Sequence, residues 1–325
     1  MRQYAARRVY FYRMEITKIE QARDRISPYI KRTRLERSET LSRHLGTNVF
    51  VKQELFQKTG SFKVRGAFNK LLSSSKEDLA SGVVAVSGGN HAQAIAHASS
   101  VLGLDAVVLM PDSTPQNYVD ATCGYGAKVE LKPTIAAAFA EVERYKSEGR
   151  VFVHPFDDEI VMAGQGTLGL EIVEDLPEVT DVVTSIGGGG LMSGVASAIK
   201  AKKPEVRIWG VETIGADAMS QALKAGRPVT LPAITSIAKT LGAPSVSETT
   251  LGAAQKYLES VTVVTDAEAV AALRFILERL KLLTEPAASC TLAAAEKLKS
   301  KFGSHIVLIL CGGNLALDDL CSYTQ

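Results

Sequence analysis

Residues 181–202 read DVVTSIGGGGLMSGVASAIKAK. A β-branched apolar run, four consecutive glycines and an alanine-rich stretch ending in lysines predict a buried strand, a turn and a helix. A purely conformational turn rarely needs four glycines. Stripped of side chains, successive backbone N–H groups can close around an anion, and the helix start adds ~0.3–2 kcal/mol of dipole interaction. Gly187, Gly188, Gly189 and Gly190 therefore read as a phosphate cradle. The turn is not a dinucleotide fingerprint, because Met192 and Ser193 stand where the last glycine of GxGxxG would fall. A literal GxGxxG does occur at Gly164, Gly166 and Gly169, well beyond the strand-like run 151–153. It reads as a helix whose small residues permit close packing, and so a nicotinamide-binding dehydrogenase loses support.

Outward from this unit the same alternation repeats. Short β-branched runs at 48–51, 82–87, 106–110, 128–131, 181–186, 207–212 and 305–310 predict strands, and 62–72, 91–102, 135–148, 192–202, 267–280 and 289–302 predict helices. The fold class is α/β with parallel sheets. A break falls near 154–158, where a proline and acidic residues follow a strand-like run, and two lobes are expected to meet there.

Composition narrows the partners. With 37 basic against 35 acidic residues, no long-range field favours nucleic acid or an anionic membrane, so the expected ligand is small. No apolar run is long enough to span a bilayer, and no signal peptide is evident. Cys123, Cys290, Cys311 and Cys321 form no CxxC pair, which fits a reducing compartment and a cytoplasmic protein. The opening MRQYAARRVYFYRM carries four arginines and no acid, as an organelle presequence would; a disordered basic tail, or a true start further along, is the preferred reading.

Three further segments carry chemistry. In Ser61-Phe62-Lys63-Val64-Arg65-Gly66-Ala67, Lys63 sits at a helix start after Thr59-Gly60; alone it reads as a solvated charge. Ser87-Gly88-Gly89-Asn90-His91 is a second glycine turn between strand and helix, whose hydroxyl, amide and N–H donors suit a carboxylate. Cys311-Gly312-Gly313-Asn314 closes the strand HIVLIL, where a thiol could face a ligand ring.

Together the segments KQELFQKTGSFKVRGAFNKL, SGGNHAQAIAHA, AGQGTLGLEI, SIGGGGLMSG, LLTEPAASCTLAAA and LCGGN, in this order, resemble the fold-type II pyridoxal-phosphate (PLP) enzymes, in particular the threonine/serine dehydratase and serine racemase group. The resemblance covers nearly the whole chain. It implies a tryptophan-synthase-β-like fold of two three-layer αβα domains with open, twisted, mainly parallel sheets. The large PLP-binding domain would comprise 1–72 plus 159–325, and 73–158 would form a small domain mobile over the active site. The resemblance implies that Lys63 carries PLP as a Schiff base and acts as the general base. Gly187 to Gly190 and Leu191 would hold the phosphate, Phe62 would flank the ring, and Asn90 would bond its hydroxyl. Cys311 and Gly312 would face the pyridine nitrogen, supported by Glu285. Ser87, Gly88, Gly89, Asn90 and His91 would bind the substrate carboxylate. A homodimer is implied as well.

The implied activity is an ammonia-lyase that dehydrates and deaminates L-threonine or L-serine to a 2-oxo acid and ammonia. A thiol opposite the pyridine nitrogen cannot strongly stabilise a protonated ring, which suits prompt β-elimination. Three departures bear on the details. The racemases that the chain resembles place a second serine where Gly88 stands. A cation site, mono- or divalent, would use Glu212 and the Ala216 carbonyl, but the expected acid is Ala218, with Asp217 one residue away. Phe156, after His154-Pro155, replaces an asparagine associated with nucleotide activation, and the biosynthetic enzymes' regulatory domain is not expected after Gln325. Competing readings are a phenylserine-type dehydratase, a serine racemase and, from another class, a two-lobed binding protein that would not need Lys63.

Overall fold

The structure, a computed structural model, describes residues 10–324, without the Thr324 side chain. Its strands are β1 (Leu35–Arg37), β2 (Asn48–Gln53), β3 (Val83–Val86), β4 (Ala106–Pro111), β5 (Lys128–Lys132), β6 (Val151–Phe152), β7 (Asp181–Ser185), β8 (Arg207–Thr213), β9 (Leu258–Val264) and β10 (His305–Leu310). The helices up to the second glycine turn are α1 (Ile16–Ile26), α2 (Glu39–Leu45), α3 (Lys63–Ser73) and α4 (Asn90–Val101). Then come α5 (Gln116–Gly124), α6 (Ile135–Ala140), α7 (Val142–Ser147), α8 (Glu159–Asp175) and α9 (Gly190–Lys202). The last are α10 (Ala218–Ala225), α11 (Glu248–Tyr257), α12 (Asp266–Phe275), α13 (Pro286–Leu298) and α14 (Leu317–Thr324).

Two sheets result. Six strands lie in the order β1-β2-β10-β7-β8-β9, parallel except for the antiparallel edge β1, and four lie in the order β5-β4-β3-β6, all parallel. The central strands are buried along their length, as sheets covered by helices on both faces require. All four strands of the second sheet fall within 83–152. In each sheet the strand order reverses once, between β10 and β7 in the first and between β3 and β6 in the second. Crevices form at such switch points, beyond the carboxyl ends of the strands.

Each expected strand is present. β9 was not expected: it follows α11 directly, Tyr257 to Leu258, with no glycine or proline to mark the change. The single helix expected at 135–148 is two, α6 and α7, and that at 267–280 ends as α12 followed by one π-helical turn, Ile276–Leu280. Of the basic leader, residues 1–9 lie outside the described residues. The rest is no loose tail. Tyr12 and Met14 are buried in the core, the Tyr12 hydroxyl lies 3.0 Å from Ser197 Oγ, and Lys256 Nζ donates to the Tyr12 carbonyl.

Helix α3 joins the two halves. Its Val64, Ala67, Phe68 and Leu71 belong to the apolar core beneath the second sheet. Its opposite face is held by charge. Fully buried Arg65 donates to both oxygens of Glu54 at 2.8 Å and to both of Glu171 at 2.7 and 2.9 Å, while Lys52, also fully buried, donates to Glu171 and the Thr33 carbonyl. The cluster is neutral overall, two cations against two carboxylates, and ties α3 to β2, to the turn after it and to α8. Gly164 on α8 lets the helices meet, since a Cβ there would come 2.6 Å from the Arg65 carbonyl, and a Cβ on Gly166 would come 3.0 Å from the Gly194 carbonyl of α9. The GxGxxG pattern is thus a packing stripe.

Removing one partner of a buried ion pair leaves the other charged and desolvated, at a cost of ~3–5 kcal/mol. Arg65→Ala is therefore expected to lower the unfolding free energy of the cofactor-free protein by ~3–5 kcal/mol in urea denaturation. A loss of under ~1 kcal/mol, the range of a solvent-screened pair, would show that the cluster does not hold α3.

Candidate active site

The loops after β7, β10, β3 and β6 leave the two switch points and converge. Between them and the start of α3 lies a cavity that opens to solvent. Lys63 is the first residue of α3. The chain reaches it through Ser61, which bridges antiparallel to Gly312, and Phe62, whose N–H donates to the Cys311 carbonyl at 3.0 Å. These bonds fasten the start of α3 to the end of β10. The Lys63 amine extends into the cavity and donates to the Pro155 carbonyl at 2.7 Å.

Burial lowers the Lys63 ammonium from 10.5 to about 8, opposed by the nearby Cys311 and Glu285 groups. The nearby imidazole and thiol stay uncharged. His91, buried and bonded through Nε2 to the Val153 carbonyl at 2.9 Å, is pushed down to about 3 by burial and by Lys63, so it is a neutral imidazole. The Cys311 thiol, 3.4 Å from Ser185 Oγ, is raised by burial to about 12 and remains protonated. Glu285 is raised to about 7, again chiefly by burial, while Asn90 Nδ2 donates to both its oxygens at 2.8 and 3.1 Å.

The tetraglycine turn forms one wall. Gly189 has φ +96°, and a Cβ on it would come 2.7 Å from Thr250 Cβ. A Cβ on Gly188 would overlap the Phe156 ring. Helix α9 begins at Gly190 and directs its N-terminus at the cavity rim. A flat ring carrying an anionic group suits this space: glycine amides and a helix start at one end, Phe62 and the Cys311 thiol beside it, and a lysine within it.

The structure brings Phe62, Lys63, Asn90, Glu285 and Cys311 to this one cavity, with Gly187 to Gly190 and Leu191. Gly312 lies just behind, where a Cβ would come 2.6 Å from Glu285 Oε1. Ser87, Gly88, Gly89 and His91 do not line the cavity itself. They form the turn at its mouth, where Ser87 Oγ accepts from the Gly89 N–H at 3.1 Å and a Cβ on Gly89 would come 3.3 Å from Thr240. Sequence reasoning missed five wall residues, Phe156, Ser185, Thr240, Leu241 and Ala287. Phe156 was noted only for what it replaces; its place at the carboxyl end of β6, the partner of β3 at a switch point, was the signal that could have found it.

Glu212 and Ala216 belong to no such arrangement. Glu212 accepts from the Met219 and Ser220 N–H groups, both at 2.8 Å, and Asp217 is turned to the Gln221 amide. Each Glu212 oxygen accepts from the start of α10, and among the described residues no three His, Cys, Asp or Glu side chains cluster to hold a metal ion.

The chain is 40% identical over 302 residues to an L-threonine ammonia-lyase of Geobacter sulfurreducens, covering 92% of this chain and 75% of that protein. It is 37% identical to a serine racemase of Arabidopsis thaliana, covering 95% of this chain and 96% of that one. Its fold superposes on the structure of maize serine racemase with a TM-score of 0.91 at 35% identity, covering 96% of this chain and 97% of the other. Residues 26–312 match the family described as pyridoxal-phosphate dependent enzyme, a span that takes in every wall of the cavity. With the lysine, the anion cradle and the family in agreement, the chain belongs to the PLP-dependent enzymes.

Proposed function

We propose that the protein is a threonine/serine ammonia-lyase, converting L-threonine to 2-oxobutyrate and ammonia, or L-serine to the three-carbon homologue. The observation that carries this reading is the Lys63 amine, lowered to about 8, in a cavity that holds a neutral thiol and no cationic histidine. The similarity to an L-threonine ammonia-lyase over most of the chain supports the substrate. When bound, PLP supplies the electron sink that makes the α-proton of an amino acid removable.

The chain's own groups do the rest. Lys63 holds the cofactor and, once released by the substrate amine, accepts the α-proton; its lowered basicity keeps a neutral amine available near physiological pH. The amides of Gly187, Gly188, Gly189, Gly190 and Leu191 bind the phosphate. Phe62 would pack beside the ring, and Cys311, with Gly312 and Ser185 around it, would meet the ring nitrogen without charge. A protonated thiol cannot balance a positive ring nitrogen as a carboxylate would, which favours prompt loss of the β-hydroxyl over storage of charge. Asn90, oriented by Glu285, addresses the ring hydroxyl, and Ser87, Gly88, Gly89, Asn90 and His91 take the substrate carboxylate.

The similarity to serine racemases favours racemisation as a second reading. Against it stands Gly88: a Cβ there would come 2.5 Å from Thr114 Oγ1, so a second acidic hydroxyl at that place does not fit without displacing Thr114. We propose further that 73–158 moves as a unit over the site and that the enzyme works as a cytoplasmic homodimer. The four cysteines form no CxxC pair, which fits a reducing compartment, and exposed apolar side chains such as Phe11 and Leu317 fit a buried contact between copies. No helix of the described residues is long and apolar enough to cross a membrane.

Purified holoenzyme given L-threonine is expected to release 2-oxobutyrate and ammonia in equal amounts, and Lys63→Ala to fall by at least ~10²–10⁴-fold. Absence of oxo acid with either hydroxy amino acid would reject the reading. Serine recovered after partial conversion is expected to remain L; accumulation of D-serine would favour the racemase. Cofactor-free protein is expected to take up PLP with a rate that rises with pH to half its maximum near 8, as Lys63 loses its proton. A midpoint near 10.5, the ordinary lysine value, would contradict the buried, neutral amine.

A further inference from the structure

We propose that Tyr118 is a positioning residue: a hydrogen-bonded chain from its hydroxyl through Asn314 to Asn90 ties the second sheet's α5 to the cofactor cavity and fixes the Asn90 amide. The inference rests on the reading of that cavity as the PLP site. Tyr118 lies in the first turn of α5, between β4 and β5, and is 7% exposed. Its hydroxyl donates to the Asn314 carbonyl at 2.6 Å, a bond that crosses from the second sheet's helices to the loop after β10. Burial raises the phenol well above its ordinary value, so it stays a donor.

Asn314 passes the constraint on. Its Nδ2 donates to the Thr59 carbonyl and to Asn90 Oδ1, both at 2.7 Å, and the Asn90 Nδ2 in turn donates to Glu285. The orientation of Asn90 follows from this network: with its oxygen facing Asn314, only its NH₂ can face the carboxylate. The neighbours leave Asn314 little room. Gly60, at φ +69°, brings its backbone so close that a Cβ would lie 2.5 Å from Asn314 Oδ1. Thr59 holds φ +61°, a conformation unusual for a residue with a side chain, with its carbonyl turned to Asn314.

Residues 313–316 belong to no helix or strand; the Gly313 N–H donates to the Gly60 carbonyl at 3.0 Å, and the Tyr118 hydroxyl anchors the same loop from the second sheet's helices. Neither Tyr118 nor Asn314 lines the cavity; both act through Asn90, which does. Through them, the position of α5 is read at the atoms beside the cofactor ring.

The test is a double-mutant cycle on holoenzyme, Tyr118→Phe in the parent and in Asn314→Ala, with Asn314→Asp in place of the alanine should that variant not fold. The readouts are the cofactor's fluorescence emission, the affinity for PLP, and kcat and KM with L-threonine. In the parent, Tyr118→Phe is expected to shift the emission and lower kcat ~3–10-fold, the scale of one buried hydrogen bond, with KM changed less than ~2-fold. In the Asn314 variant the same substitution is expected to add less than ~2-fold, because the path to Asn90 is already cut. Unchanged emission and kcat in Tyr118→Phe, or effects that multiply fully in the two backgrounds, would overturn the proposal. If the parent turns over no threonine, the proposed substrate fails, and the emission and PLP affinity of the four proteins still decide the relay.

Discussion

The buried cluster of Arg65, Glu54, Glu171 and Lys52 is the constraint on which the site depends. Two cations and two carboxylates are taken wholly or almost wholly out of water, which is costly in itself, and their mutual bonds offset that cost only in one geometry. That geometry fixes α3 against β2 and α8. Lys63 stands two residues before Arg65, so the clamp that orients the helix also sets the root of the reactive side chain. The opposite side of α3 is apolar and lies in the core of the second sheet. One helix is thereby shared between both halves, and its first residue emerges where the halves meet.

From that placement the electrostatics follow. The loops after β10 and β7 come from one switch point and those after β3 and β6 from the other, and together they exclude enough water to lower the Lys63 ammonium and raise the Cys311 thiol. His91 responds in the same sense, since a second cation beside Lys63 would be doubly unfavourable. The site thus holds few fixed charges, and its tools are backbone amides, an amine that gives up its proton near pH 8 and a neutral thiol. In the proposed reaction this leaves the cofactor as the principal carrier of charge.

Much of this was legible in the sequence where local chemistry dictates local structure. Four glycines after DVVTSI announced the turn that walls the cavity, and the strands around it carried β-branched runs bounded by clear turns. Where an element begins without punctuation, as β9 does after Tyr257, the pattern was silent. Burial of charge was silent too: Arg65 reads as a surface residue until Glu54 and Glu171 are seen around it. Phe156 and the adjacent pair Thr240 and Leu241 lie far apart in the chain, each unremarkable alone, and only the fold gathers them. The end of the basic leader was misread for the same reason, since its arginines outweighed partners of Tyr12, Ser197 and Lys256, that lie far away in the chain.

The central claim, that α3 presents Lys63 and no other lysine to the cofactor, is open to one direct measurement. Holoenzyme reduced with borohydride, digested and mapped by mass spectrometry would reveal which side chain carries the pyridoxyl group. The account requires a single labelled peptide with the label on Lys63. Label on a different lysine, or label spread over several lysines with Lys63 unmodified, would contradict it.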